Sequence, residues 1–125
     1  MTRISVWLCK WLGVFTLFAA LFGGCTDASE ITLAITNNSE VPIQNLVAGF
    51  TGGTAQFGPL KVGDRQETKI KPTGESHIEL DIYPIGGKVE RRVIDTYFEQ
   101  GYRGKIEITL GLGFAVEKSE QLTVR

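Results

Sequence analysis

Residues 77–82 read His-Ile-Glu-Leu-Asp-Ile, and residues 105–110 read Lys-Ile-Glu-Ile-Thr-Leu. In both stretches an aliphatic side chain occupies every second position, and polar side chains fill the positions between. A period of two is typical of a strand that buries one face, whereas an amphipathic helix repeats every ~3.6 residues. Residues 31–36 alternate in the same way. The sequence therefore predicts an all-β domain.

Weaker strand patterns fill the chain around these three runs. They occupy residues 42–50, 54–57, 65–71, 88–96, 112–116 and 121–124. Turn signals separate them, and Gly86-Gly87 predicts a tight hairpin because glycine accepts the positive φ that such turns need. The alternation slips at Arg91-Arg92, which suggests a β-bulge at that point. Short strands at this spacing predict an antiparallel β-sandwich of about seven strands over residues 31–125.

The segment before the clearest strand resembles a feature of a known fold. Gly101-Tyr102 leads into the strand at 105–110 and is similar to the tyrosine corner of immunoglobulin-like sandwiches. The resemblance implies that the Tyr102 hydroxyl bonds to upstream backbone and that both residues are structural. Residues 25–125 contain neither the cysteine pair nor the tryptophan of antibody domains. The likeness is therefore to cysteine-free bacterial sandwiches.

The first twenty-four residues have the pattern of a signal helix. Arg3 and Lys10 precede an almost wholly apolar run at residues 11–22. A helix of that length spans ~18 Å, well short of the ~30 Å hydrocarbon core, which favours a cleaved signal segment. The alternative is an uncleaved anchor that starts at Ile4, with Lys10 inside the bilayer at a cost of ~2.5–3.5 kcal/mol.

The apolar run ends in Leu21-Phe22-Gly23-Gly24-Cys25, which resembles the lipobox of bacterial lipoprotein precursors. Phe22 stands where that family usually has Leu, Val or Ile. The resemblance implies that residues 1–24 are removed, that Cys25 carries a diacylglycerol and a fatty acyl chain such as palmitate, and that residues 25–30 form a short tether to the bilayer. Cys25 would then be the only cysteine left, which excludes an intramolecular disulfide. The alternative is an ordinary secretory signal with an incidental thiol.

The resemblance also bears on localisation in the cell envelope. In enteric members of the family, an Asp directly after the lipidated cysteine retains the protein in the inner membrane. Thr26 occupies that place here and Asp27 follows it. If the host has two membranes, delivery to the outer one is therefore favoured.

The charge balance excludes one class of partner. Removal of residues 1–24 takes two of the thirteen basic residues and none of the fourteen acidic ones, so the remaining net charge is 11 − 14 = −3. A mildly acidic domain with no basic stripe is not a nucleic-acid binder.

Three side chains form the sharpest candidate for metal chemistry. His77, Glu79 and Asp81 share one face of a predicted strand, and imidazole with carboxylates suits zinc or manganese. However, neighbouring positions on one face lie ~6.5–7 Å apart, which strains shared coordination. An ordinary solvent-exposed strand face is the favoured interpretation, so we predict no metal and no other cofactor. No nucleophile motif accompanies His77, the only histidine, and no catalytic residue is assigned.

The sequence therefore predicts a lipid-anchored lipoprotein of the cell envelope with a non-enzymatic binding or structural role. Its partner would be the bilayer, through Cys25, together with an envelope protein or glycan. The alternatives are a metal-assisted or carboxylate hydrolase, and an inhibitor or accessory subunit of an envelope complex. A pocket that collects several acids would favour the hydrolase. An exposed apolar patch or an open strand edge would favour the binding role.

Overall fold

The computed structural model describes residues 30–124, which form eight strands and one short 3-10 helix. The strands are β1 (Ile31–Asn37), β2 (Ile43–Phe50), β3 (Gly53–Phe57), β4 (Arg65–Ile70), β5 (Ser76–Pro84), β6 (Glu90–Phe98), β7 (Arg103–Leu110) and β8 (Val116–Thr123), and the 3-10 helix is Leu112–Phe114. The predicted signal helix and Cys25 lie outside the described residues. Within those residues, no helix has the length and apolar character needed to cross a membrane.

The strands form two four-stranded sheets. The first sheet has the order β4-β1-β7-β8 and the second has the order β3-β2-β5-β6. Five of the six pairings are antiparallel, and β1 with β7 is the parallel one. The predicted all-β sandwich is confirmed, with eight strands rather than about seven and one parallel pairing.

The core lies between the inner faces of the two sheets. Ile78, Leu80 and Ile82 are fully buried, as the alternation at residues 77–82 predicts. The other two strongly alternating runs bury their aliphatic sides equally well, through Ile31, Leu33, Ile35, Ile106, Ile108 and Leu110. Burial of an aliphatic side chain contributes ~1.5–3 kcal/mol, so these strands account for much of the stabilisation.

The hairpin of β5 and β6 is confirmed, but the predicted bulge is in the wrong place. Arg91 and Arg92 pair in regular register with β5, and the register shift lies between Ile94 and Phe98. The pattern slips at Arg92 because this side chain takes an inward position at the sheet edge. Its guanidinium donates hydrogen bonds to the carbonyls of Phe114 and Gly113, at 3.2 and 3.1 Å, so the charge is satisfied there.

The strand predicted at residues 112–116 is wrong. This segment contains the 3-10 helix, and Gly113 and Phe114 both have positive φ, near 64° and 61°. The Phe114 ring is buried in the core. The apolar pattern at residues 112–116 therefore comes from a turn that packs against the core, and not from a strand. β8 then runs over Val116–Thr123, twice as long as predicted. Residues 117–120 can be polar because β8 is an edge strand. Backbone pairing with β7, and not burial of side chains, holds them in a strand.

Asn37, which the sequence suggests as part of a turn, is the fully buried last residue of β1. Its side-chain nitrogen donates to the carbonyls of Val41 and Leu60, both at 3.0 Å. Its side-chain oxygen accepts from the Ser39 backbone N–H at 3.0 Å and from the Ser39 hydroxyl at 2.6 Å. One amide therefore ties together the three chain segments that meet at this end of the sandwich.

Strand register gives the sandwich two distinct ends. The near end contains the start of β1, because Ile31 lies opposite Ile70 and Gly104. The turns at residues 51–52, 71–75 and 99–102 lie there too. The far end holds the turns at 38–42, 58–64, 85–89 and 111–115. A tether that precedes residue 31 therefore joins the domain at its near end.

Candidate binding face

The outward side chains of β5 and β6 form the surface that carries most of the predicted candidates. We call it the β5–β6 face, and it consists of His77, Glu79, Asp81, Tyr83, Arg91, Val93, Asp95 and Tyr97. The alternation that buries Ile78, Leu80 and Ile82 directs their neighbours outward. The regular part of the register places Glu79 opposite Val93 and Asp81 opposite Arg91.

This hairpin concentrates the exposed apolar side chains of the domain. Eight large hydrophobic residues are exposed among residues 30–124, and five of them lie between positions 83 and 97: Tyr83, Ile85, Val89, Val93 and Tyr97. Val93 is the most exposed of the five, at 62%. Single exposed apolar residues are ordinary, but such a cluster on one hairpin marks a candidate interaction surface.

The charges on the β5–β6 face are mainly negative. Three carboxylates, those of Glu79, Asp81 and Asp95, stand beside the single guanidinium of Arg91. Arg91 Nε donates to Asp81 Oδ1 at 2.9 Å, and this hydrogen bond raises the pKa of Arg91. Apolar groups surrounded by carboxylates suit a partner that presents apolar side chains beside Lys or Arg.

The metal candidates do not come together as a triad. His77 Nε2 lies 3.1 Å from Glu79 Oε2, and both side chains are about half exposed. Asp81 is held by Arg91 instead. Among residues 30–124 there is no group of three or more His, Cys, Asp or Glu side chains placed to hold a metal ion. The arrangement is that of an exposed ion-pairing strand face.

An open depression of about 340 Å³ lies beside the His77–Glu79 pair. It is lined by Gly49, Phe50, Thr51, Gly53, Thr54, His77 and Glu79. Glu79 is the only acid that lines it. A hydrolase that works with paired carboxylates needs two acids in one cleft, so this depression does not favour that alternative.

Tyr102 lies at the near end, next to the β5–β6 face. Its ring is half-buried against the core and meets the ring of Tyr97 edge-on, with centroids 6.2 Å apart. Its backbone N–H donates to the Glu99 carbonyl at 3.1 Å, across a turn in which Gly101 has φ near 95°. Within residues 30–124, no backbone group accepts a hydrogen bond from the Tyr102 hydroxyl, so the corner bond implied by the resemblance is not formed there.

The exposed hydroxyl of Tyr97 is held by a hydrogen bond. Its hydroxyl donates to Glu99 Oε2 at 3.0 Å. This hydrogen bond, together with partial burial of the ring, raises the pKa of Tyr97 to about 12. The phenol is therefore neutral over the whole physiological range.

The outer face of the first sheet has a different character. Arg65 bridges Glu67 at 2.7 Å and Glu107 at 3.2 Å, and Lys105 bridges Glu107 at 3.1 Å. Acids and bases alternate across β4 and β7, and none of the large exposed apolar side chains of residues 30–124 lies on the outward positions of this sheet. This balanced network is typical of a solvated surface.

The sequence predicts the charged members of the β5–β6 face but not its apolar character. Tyr83 and Val93 look like ordinary strand residues in the sequence, and only the strand pairing and the burial show that they point outward. The signal that could have found them is the odd numbering they share with His77 and Glu79 along the hairpin.

No protein-family model, no curated protein and no solved structure matches this chain.

Proposed function

We propose that the chain is a lipid-anchored lipoprotein of the bacterial cell envelope that binds a protein partner through the β5–β6 face. The anchor rests on the lipobox-like residues 21–25 and on the apolar run before them. The binding role rests on one structural observation, which is the set of exposed apolar side chains at Tyr83, Ile85, Val89, Val93 and Tyr97.

The two parts of the proposal are geometrically compatible. A lipid on Cys25 would be joined to the near end by five residues, whose r.m.s. reach is about 12 Å. Ile85 and Val89 lie in the turn at the far end, so the tip of the hairpin would point away from the bilayer. The face would run from the membrane side outward and would be open to a partner in the envelope.

The chemistry of the face favours a protein over a glycan. Exposed aliphatic side chains such as Val93 gain from apolar contact, which carbohydrate hydroxyls do not offer well. The carboxylate of Glu79 would meet a Lys or Arg side chain of the partner, and such charge complementarity speeds association and selects partners.

The anchor is tested by mass spectrometry of the N-terminus of protein isolated from membranes. We expect a terminal Cys25 that carries a diacylglycerol and an acyl chain. The Cys25→Ala variant should remain an unlipidated precursor of full length. An unmodified N-terminus at or beyond Thr26 would show that the anchor is wrong.

The face is tested by a photo-crosslinking residue placed in the full chain in its own host cells. We expect a discrete protein adduct from position 83 and little from position 119, a similarly exposed site on the first sheet. Glu79→Lys should lower the yield at position 83 several-fold, whereas Ser119→Lys should not change it. Equal adducts from both positions, insensitivity to Glu79→Lys, or adducts with glycan alone would refute the binding face.

A further inference from the structure

The two sheets present four edge strands, and three of them carry features that block pairing with another chain. β3 is only five residues long. β4 alternates Arg65, Glu67 and Lys69 along its outer side. β8 carries Lys118 and Glu120 on its inner side, paired with each other at 3.0 Å. Short edges, edge charges and inward charges all discourage edge-to-edge association.

The fourth edge, β6, is the longest of the four and carries the most exposed apolar side chains. It has nine residues and no proline, and among residues 30–124 it forms ladder hydrogen bonds with β5 alone. Its outward side chains include the exposed Val93 and Tyr97, at 62% and 50%. The inward Arg92 donates its hydrogen bonds to carbonyls of the 3-10 helix. A long edge with apolar outward residues is a template for strand addition.

We infer that two copies of this chain pair through β6, antiparallel about a two-fold axis at Val93. In this register Val93 faces Val93 of the second copy. Each Arg91 faces Asp95 of the second copy. Residues on the outer face of one copy lie opposite residues on the outer face of the other. The second sheet of each copy then joins that of its neighbour to form one sheet of eight strands.

The charges along β6 favour this register over those centred on positions 91 and 95. A ladder centred on position 91 would set two Arg91 side chains opposite each other, and a ladder centred on position 95 would do the same with Asp95. Like charges directly opposite are destabilising, whereas opposite charges and apolar pairs stabilise by ~0.2–1 kcal/mol each. A centre at Val93 alone gives two opposite-charge pairs and an apolar pair on the axis.

The side chains are available for these contacts. Arg91 is 66% exposed and uses Nε and Nη2 for Asp81, which leaves Nη1 for a second carboxylate. Asp95 forms no ion pair within residues 30–124. Residues 90–94 pair with β5 in regular register, so Arg91 and Val93 lie on regular strand, and Asp95 directly follows that stretch.

The dimer goes beyond the proposed function and would extend its binding surface. The two β5–β6 faces would become one continuous face with twice the exposed apolar side chains and carboxylates. Pairing through β6 does not depend on the lipid, so an experiment can refute the dimer without refuting the anchor, and the reverse.

A single introduced cysteine tests the dimer in the full chain, whose own cysteines are Cys9 and Cys25. Opposed residues of an antiparallel ladder have Cα atoms ~4.5–5.5 Å apart, which lies within the range for a disulfide. With a mild oxidant, Val93→Cys should therefore give a species of twice the chain mass, several-fold above the unsubstituted protein. Arg91→Cys should give no such increase, because its two copies would lie ~13 Å apart along the strands. Gln56→Cys, on the opposite edge of the same sheet, serves as the control for random collision.

A second variant tests the charge pairing. In the Val93→Cys background, Asp95→Arg sets two arginines opposite each other and should lower the disulfide yield at least threefold, whereas Asp95→Asn should have a smaller effect. Adding Cys25→Ala should leave the Val93→Cys yield unchanged, which separates this result from the anchor. The dimer would be overturned by a yield no higher than that of Gln56→Cys, by a yield insensitive to Asp95→Arg, or by adducts of another mass.

Discussion

Replacing Asn37 by Ala should be among the most destabilising changes of a polar residue in this domain. The amide makes four hydrogen bonds and is fully buried. Its loss leaves the Ser39 N–H with no acceptor, because no other acceptor is present for that group within residues 30–124. A buried donor without a partner costs ~1–3 kcal/mol.

The other three partners lose one bond each but keep another. The Leu60 carbonyl still accepts from the Ile43 N–H at 2.9 Å, and the single hydrogen of the Ser39 hydroxyl can turn to the Val41 carbonyl at 2.9 Å. Each lost bond of this kind is worth ~0.5–1.5 kcal/mol. The total for Asn37→Ala is then about 2.5–7.5 kcal/mol, a large fraction of the ~5–15 kcal/mol that stabilises a typical domain.

Urea unfolding of the purified protein, followed by far-UV circular dichroism, measures the effect. Asn38→Ala is the matched control, since the adjacent side chain is exposed and its replacement should change the free energy of unfolding by less than about 0.5 kcal/mol. Ser39→Ala should be destabilising as well, and the double variant should cost less than the sum of the two single ones because they share two hydrogen bonds. Additive effects, or a cost for Asn37→Ala below about 1 kcal/mol, would refute the network.

Three further outcomes follow from local geometry. Gly104→Ala should cost more than about 3 kcal/mol in urea unfolding, because φ is +135° and a β-carbon would collide with the Gln121 carbonyl oxygen of β8. Gly101→Ala, with φ +95° in open space, should cost only the ~1–2 kcal/mol of the strained backbone. Glu99→Ala should lower the pKa of Tyr97 from about 12 toward 10 in a spectrophotometric titration assigned with Tyr97→Phe; because the folded value is the raised one, the stabilisation from this bond is present below pH ~10 and is lost as the pH rises toward 12. Tyr102→Phe should change the free energy of unfolding by less than about 0.5 kcal/mol and Tyr102→Ala should lower it by about 2 kcal/mol, because the half-buried ring and not the hydroxyl makes the contacts; equal effects would contradict this.

The fold could be predicted wherever one face of a strand is apolar. Residues 77–82 and 105–110 carry the alternation themselves, and the structure buries the expected side of each. The sequence predicts only the second half of β8. Residues 117–120 are polar on both sides, and only pairing with β7 makes them part of a strand. The bulge predicted at Arg91-Arg92 is wrong because the inward position of Arg92 depends on carbonyls that are distant in sequence, those of Gly113 and Phe114.

The candidate site was only partly predictable. Charged residues such as His77 and Glu79 attract notice in a sequence, whereas an exposed valine looks like a buried one. Whether Val93 faces solvent depends on which neighbour covers the strand, and that is a property of sheet order. Asn37 shows the same limit, because a turn-forming amide and a buried amide that joins three segments are the same residue type.

The parallel pairing of β1 with β7 has a consequence for the order of events during synthesis. β1 is the first strand of the described chain, yet it lies between β4 and β7, and Ile31 must wait for Gly104, 104 − 31 = 73 residues later. Contacts of such wide sequence separation require closure of a long loop before they gain any stability, and they slow folding. A nascent chain that stops before β7 therefore lacks half of its first sheet and exposes the aliphatic side of β1. The first sheet is therefore completed only after β7 and β8 have been made, whereas every strand of the second sheet precedes β7 in the chain.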